Sequence, residues 1–324
     1  MPKLKKQDQS KNLSTLSKGA IFLAFNNKEI NYVKLACLSA SSVRKHLNLP
    51  CSLITDAGSL RHFEKLEYIR VDKTFENIII DEKTDKDYKK DHFYSKYKIG
   101  NTDNIRKFYD TPYSTFNSQF KNLTKHNIYN LTPYDRTILF DVDFLVNNAI
   151  LNLAFDVNSP IQLYRNAQTL KNTEPDHPTD KRLNDVSIPL CWSTVIYFNK
   201  SPMSKMFFDM WKHVKENYDY YQSVYKFPQG LYRTDFAVSI SMHLLKGFND
   251  CVDDVFAELP ASPMKYMAYK DDIASVDKNG IVFFANEYGK EWNNILTYSE
   301  GENLHMMNKR AIDRHYNKLM ELYV

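Results

Sequence analysis

The stretch Pro133-Tyr134-Asp135-Arg136-Thr137-Ile138-Leu139-Phe140-Asp141-Val142-Asp143-Phe144-Leu145-Val146-Asn147-Asn148 decides how the chain is read. Thr137 to Phe140 is an apolar, partly β-branched run of the kind that forms a strand buried on both faces. It ends abruptly in two carboxylates, Asp141 and Asp143, with Val142 alone between them. Side chains two apart on an extended chain share a face, so both acids look the same way. In an open α/β sheet the carboxyl ends of the strands border the crevice where ligands bind. Two like charges there repel, so either one acid is protonated or a cation sits between them and the ligand, and a divalent metal is the simpler answer.

The 324 residues are enough for one large α/β domain or two small ones. With 43% apolar and 25% charged residues, the composition is that of a soluble globular protein. The net charge of +4 comes from interspersed charges, too mild to point to nucleic acid; it suits an anionic ligand such as a nucleotide. Cys37, Cys51, Cys191 and Cys251 form no Cys-x-x-Cys pair, which argues against zinc or a disulfide framework and for reduced thiols. The first 18 residues are polar and Lys-rich, without the apolar core of a signal peptide, and read as a disordered basic arm. No apolar run approaches the ~20 residues of a membrane span, so the expected location is cytoplasmic.

Upstream of the acids the pattern is β-α-β-α-β. Gly19 to Phe25 reads as a strand, Tyr32 to His46 as a helix stopped before Pro50, and Cys51 to Thr55 as a second strand. A short helix to about Lys65 and a third strand from Leu66 to Val71 follow. Such a run builds a parallel sheet with right-handed crossovers. No glycine-rich phosphate loop occurs, and the chain has only eight glycines, so a diphosphate would have to be held by a metal and side chains. Residues 81–103, with six acidic residues and six lysines, read as a charged excursion, either a solvated loop or a lid. A helix from Thr115 to Asn127 is expected to lead into the central strand.

Beyond Asn148 the chain reads as a short helix at Ile150 to Val157, a strand at Pro160 to Tyr164, an irregular segment at 166–187 and a strand at Cys191 to Asn199. Met203 to Tyr218 reads as a helix whose core face is Met206, Phe207, Met210, Trp211 and Val214. The aromatic cluster Tyr218, Tyr220, Tyr221, Tyr225 and Phe227 is either packing or a platform for sugar rings. A helix opens at Asp235, with Thr234 as its N-cap; a carboxylate in the first turn is favoured there by the helix dipole. Asp253-Asp254 and Asp271-Asp272 read as solvated or capping pairs. Ile281 to Ala285 is a late edge strand or hairpin arm, and Arg310 to Leu322 a terminal helix.

Tyr134-Asp135-Arg136-Thr137 followed by Leu139-Phe140-Asp141-Val142-Asp143 resembles the signature of the metal-dependent nucleotide-sugar glycosyltransferases of the GT-A fold, of the glycogenin and lipopolysaccharide galactosyltransferase type. The order of elements fits that family over most of the chain. The resemblance implies a mixed, Rossmann-like α/β sheet flanked by helices in a single domain. Residues 19–148 would form its nucleotide-binding half, and 149–324 an acceptor-binding half with a C-terminal metal and phosphate segment. The implied activity is transfer of a hexose-like sugar from a nucleotide-diphosphate sugar, of the UDP type, to a glycan or other hydroxyl acceptor, with Mn²⁺ or Mg²⁺.

The resemblance also implies roles for particular residues. Asp143 would bind the metal, Asp141 would be shared between metal and ribose, and His305 would be the third metal ligand. Lys309 would reach the diphosphate, although the family's Gly after the His and its later Lys-Pro-Trp are absent. Asn26 and Tyr32 would recognise the base, and Arg106 the phosphates. Asp235 would meet the donor sugar or the acceptor, where it is the candidate general base of an inverting reaction. The family's Asn-x-Gly is replaced here by Cys191-Trp192-Ser193.

Two rival readings remain. Ile138-Leu139-Phe140-Asp141-Val142-Asp143 also resembles the first motif of haloacid-dehalogenase-like phosphatases, with Asp141 as nucleophile, Asp143 as acid and Asp253-Asp254 as the metal pair. That motif normally opens its domain and is followed by Gly-Thr-like residues, whereas Phe144-Leu145 follow here. The other is a GT-A domain that binds a nucleotide or glycan without turnover.

Overall fold

Lys18–Leu23 forms the first strand, β1, fully buried beyond its first residue, as its apolar run requires. A computed structural model of the chain describes residues 16–26, 30–64, 74–81, 105–107, 114–116, 122–175, 180–227, 232–249, 256–287, 290–299 and 301–324. Helix α1 (Tyr32–Leu47) begins where the Asn31 side chain accepts the Lys34 N–H, and it stops at Asn48, which adopts the left-handed conformation that Asn tolerates. Strand β2 (Cys51–Thr55) and helix α2 (Ala57–Glu64) follow in the expected places. The expected strand at Leu66 to Val71 lies outside the described residues, apart from which Asn77–Ile80 forms β3 beside β2.

Of the helix expected at Thr115 to Asn127, residues 117–121 lie outside the described residues, and neither described end is α-helical. Ile105–Lys107 (β4) and Ser114–Phe116 (β5) pair as antiparallel strands, Asn122–Asn127 is a 3-10 turn, and Ile128–Leu131 (α3) is a single helical turn. Three successive polar residues of the turn, Thr124, Lys125 and His126, are all buried, so they are not the solvated face of a helix.

The central strand β6 (Arg136–Phe140) is buried throughout and runs parallel to β1, with Phe22 opposite Phe140 and their rings stacked at 5.7 Å. Then come β7 (Phe144–Leu145), a 3-10 turn at Ile150–Phe155, β8 (Ile161–Tyr164) and β9 (Ala167–Thr169), the last inside the segment expected to be irregular. Strand β10 (Trp192–Asn199) lies antiparallel between β6 and β8. Helix α4 (Pro202–Glu216) is capped by Ser201 and buries Phe207, Trp211 and Val214, while Met206 is exposed rather than in the core face assigned to it. Helix α5 (Tyr218–Tyr225) buries Tyr218, Tyr221 and Tyr225 and exposes Tyr220, so most of the aromatic cluster is packing.

Helix α6 (Thr234–Leu245) starts one residue early: Arg233 is its N-cap and Thr234 is already helical. Strand β11 (Phe256–Glu258) completes a seven-stranded sheet in the order β11-β8-β10-β6-β1-β2-β3, parallel except for β10. The mixed sheet flanked by helices that the resemblance implied is therefore present. Two smaller sheets use β12 (Met264–Met267), β13 (Asp272–Asp277), β14 (Gly280–Glu287), β15 (Lys290–Ser299) and β16 (Leu304–Met306). Ile281 to Ala285 is a hairpin arm, the middle strand of the antiparallel β13-β14-β15 meander and not its edge, and Asp271 ties it down by accepting the Ala268 and Asn286 N–H groups. The other sheet has the order β7-β16-β12-β9. The expected terminal helix is broken at His315 into α7 (Lys309–Arg314) and α8 (Tyr316–Glu321). Residues 1–15 of the expected basic arm lie outside the described residues, and its end is in place, with Ser17 hydrogen-bonded to Asp135 and Lys18 opening β1. Among the described residues no helix is long and apolar enough to cross a membrane.

Candidate metal and phosphate site

Asp141 follows directly on β6, and its backbone N–H donates to the Thr194 carbonyl of β10. The chain then turns through Val142 and Asp143 into β7, whose antiparallel pairing with β16 sets Phe144 opposite His305. The Met306 N–H donates to the Asp143 carbonyl, so the last strand of the molecule is stitched to the tip of the central one. This register delivers the imidazole: His305 Nε2 is 3.5 Å from Asp143 Oδ1. Asp141, Asp143 and His305 each offer a ligand atom, and the three atoms lie within 4.8 Å of one another.

Lysines hold the other side of each acid. Lys309 Nζ, at the first residue of α7, is 2.8 Å from Asp143 Oδ2. Lys125 Nζ, from the 3-10 turn, is 2.5 Å from Asp141 Oδ1 and donates to the Ser193 carbonyl at 2.8 Å. Each carboxylate thus has one oxygen on an ammonium group, leaving Asp143 Oδ1 on the imidazole side. Burial works to raise the Asp143 carboxyl, but Lys309 and His305 beside it outweigh that and hold it well below the usual carboxylate range. Burial pushes Asp141 up, against the pull of Lys125 and with the help of the neighbouring Asp143 charge. The two acids are therefore unlike in spite of their two-residue spacing.

The donor set fits a divalent cation. Carboxylate oxygens and an imidazole nitrogen are what Mn²⁺ and Mg²⁺ sites combine with phosphate oxygens. On the far side of His305, Thr194 Oγ1 lies 3.4 Å from Nδ1, and the Trp192 ring meets the imidazole edge-on at 6.4 Å. With a cation bound, a proton on Nδ1 donated to Thr194 would leave the Nε2 lone pair for the metal.

Asp235, the first-turn carboxylate of α6, is joined to this cluster through β10. Its Oδ1 accepts both the Ser193 N–H at 2.8 Å and the Ser193 hydroxyl at 2.7 Å. Ser193 thus links Asp235, on its amide and hydroxyl, to Lys125, on its carbonyl. Asn26 lies three residues past the carboxyl end of β1; its side-chain oxygen accepts the Val33 N–H and its backbone N–H donates to the Ser59 hydroxyl, so it ties the segment after the strand to the starts of α1 and α2. Tyr32 is the first residue of α1 and partly buried. Arg106 lies in β4 opposite Thr115, and its side chain is outside the described residues. Asp253 and Asp254 also lie outside them.

Lys125, Thr194 and the linking role of Ser193 are not visible in the sequence pattern. Lys125 sits in a turn that reads as a helix, and no spacing connects it with Asp141. Alternation along β10 is the one available signal: Ser193 and Thr194 interrupt an otherwise apolar strand and are both buried.

No protein-family model matches the chain, and no curated protein does. Among solved structures it is similar to mouse xyloside xylosyltransferase 1, at 14% identity and a TM-score of 0.43 over 75% of this chain and 85% of that one. It is similar to the galactosyltransferase LgtC in complex with donor and acceptor sugar analogues, at 12% identity and a TM-score of 0.40 over 69% of this chain and 70% of that one. A third is the glycosyltransferase GlyE of Streptococcus pneumoniae TIGR4, at 10% identity and a TM-score of 0.37, where 75% of this chain spans 45% of the other.

Proposed function

We propose that the chain is a metal-dependent glycosyltransferase that takes a sugar from a nucleotide-diphosphate donor, of the UDP type, and attaches it to an acceptor hydroxyl. The observation that carries this reading is the gathering of Asp141, Asp143 and His305 within 4.8 Å at the end of the central strand, with Lys309 on Asp143. The sequence resemblance at Tyr134 to Asp143 supports it independently. Mn²⁺ or Mg²⁺ would be held by Asp143, His305 and Asp141, and would supply Lewis-acid neutralisation of the charge that grows on the departing diphosphate. Lys309 adds a second positive charge there. Asn26 and Tyr32 border the place for the base, and Arg106 is assigned to the phosphates.

In the transfer, the bond between the anomeric carbon and the diphosphate oxygen breaks, a bond to the acceptor oxygen forms, and the hydroxyl proton leaves for a base. Asp235 is the base of an inverting reaction; in a retaining one a leaving phosphate oxygen takes the proton. Both stereochemical courses use the same residues to hold the donor.

The test is the melting temperature of the full chain with UDP-sugars, with and without Mn²⁺. Mn²⁺ and a UDP-sugar together raise it, and Asp143→Asn, which keeps the shape of the side chain, abolishes the rise. No shift with any nucleotide sugar would sink the reading. A shift without slow release of UDP identifies a binding domain instead, and an acid-labile phosphoryl adduct on Asp141 identifies a phosphatase.

A further inference from the structure

The two oxygens of Asp235 are treated unequally. Oδ1 accepts two hydrogen bonds from Ser193, whereas Oδ2 makes none among the described residues and faces the guanidinium of Arg233, Nη2 lying 3.8 Å away. The same Nη2 is closer to Asp180, 3.2 Å from Oδ1, with which it makes a hydrogen bond. The guanidinium carbon of Arg233 also lies over the Phe236 ring, 4.6 Å from its centroid, so the charged end rests on an aromatic face beside the two acids.

A guanidinium next to a single carboxylate closes on it, because the charge-assisted hydrogen bond strengthens as the atoms approach. Arg233 does not close on Asp235, and of these two acids among the described residues it lies nearer Asp180. We propose that Asp180 is a positioning residue: it draws Arg233 off Asp235 and so keeps Oδ2 able to accept the proton or the hydrogen bond of an incoming hydroxyl. Without Asp180, Arg233 swings onto Asp235 and covers that oxygen. Arg233 is then an inhibitor of the site in the absence of its partner, rather than a contributor to it. This proposal rests on the glycosyltransferase reading and on the place of Asp235 in it.

The experiment is a double-mutant cycle in the full chain, following release of UDP from UDP-glucose and UDP-galactose in Mn²⁺, with water as acceptor. Asp180→Ala is expected to lower kcat fivefold or more while KM for the donor changes less than twofold. Adding Arg233→Met, which removes the guanidinium from over Phe236 and leaves an apolar side chain in its place, is expected to recover most of the loss. A merely structural ion pair gives additive losses and no recovery. Asp180→Asn, which removes the charge but keeps the shape, should fall like Asp180→Ala. The rise in melting temperature with UDP and Mn²⁺ should persist in every variant. The proposal is overturned if Asp180→Ala equals wild type, if the double variant is no faster than Asp180→Ala, or if Asp180→Ala and Asp180→Asn lose the thermal shift with the rate. A wild-type chain with neither thermal shift nor UDP release overturns the glycosyltransferase reading itself, and the proposal with it.

Discussion

Lys309 Nζ lies 2.8 Å from Asp143 Oδ2, and both side chains are under one tenth exposed, though one acid ends the turn after the central strand and the lysine opens a helix near the end of the chain. A buried pair of this kind is a weak source of stability when intact and a large liability when broken.

Lys309→Met is therefore expected to destabilise the metal-free protein by about 3–5 kcal/mol at neutral pH, since it leaves Asp143 charged and buried without its lysine. The sign of the pH dependence follows from the direction of the shift. A carboxyl held below its ordinary range contributes stability above the unfolded pKa of about 4 and loses it as the pH falls through that region. The gap between wild type and variant in urea unfolding should accordingly be widest near pH 7 and narrow below about pH 4.

Gly19→Ala is expected to cost about 1–3 kcal/mol, the range for overpacking a dense interior. A Cβ at Gly19 would come within 2.4 Å of the Tyr134 ring, and that ring is held at its far end by the hydrogen bond between its hydroxyl and Ser52 at 2.8 Å. Melting curves check this, and Tyr134→Leu in the same background should restore part of the loss. An unchanged melting temperature would mean that the ring gives way.

Burial pushes the Cys51 thiol up to about 12 and also raises Cys37 and Cys191. Since the thiolate is the nucleophile, all three are inert at pH 8. Native protein treated with a thiol reagent at pH 8 should lose no more than one of its four thiols, and the denatured protein all four.

The elements whose periodicity is strong were legible. Helix α1, strand β2, the central strand and strand β10 stand where apolar spacing puts them, because each buries a face that its sequence makes apolar. At Asn122 to Asn127 a 3-10 turn stands where a helix was expected, for the complementary reason. Its polar residues are drawn inward, Lys125 by Asp141 and the Ser193 carbonyl, and a contact across the sheet leaves no trace in local spacing. Thr234 has the residue type of a cap but is already helical, since the segment from Arg233 enters the helix one residue sooner.

The apolar run that stops at Asp141 and Asp143 was enough, without coordinates, to place two acids side by side at the edge of a buried sheet, because a strand has a period of two and charge does not continue into its core. The resemblance pointed to His305 and Lys309, but Lys125, and the geometry that brings each group to those acids, were matters for the tertiary structure. Lys125 and His305 arrive on a turn and a strand remote from them in the chain, and the pairing of Phe144 with His305 is a register that only the packed sheet sets.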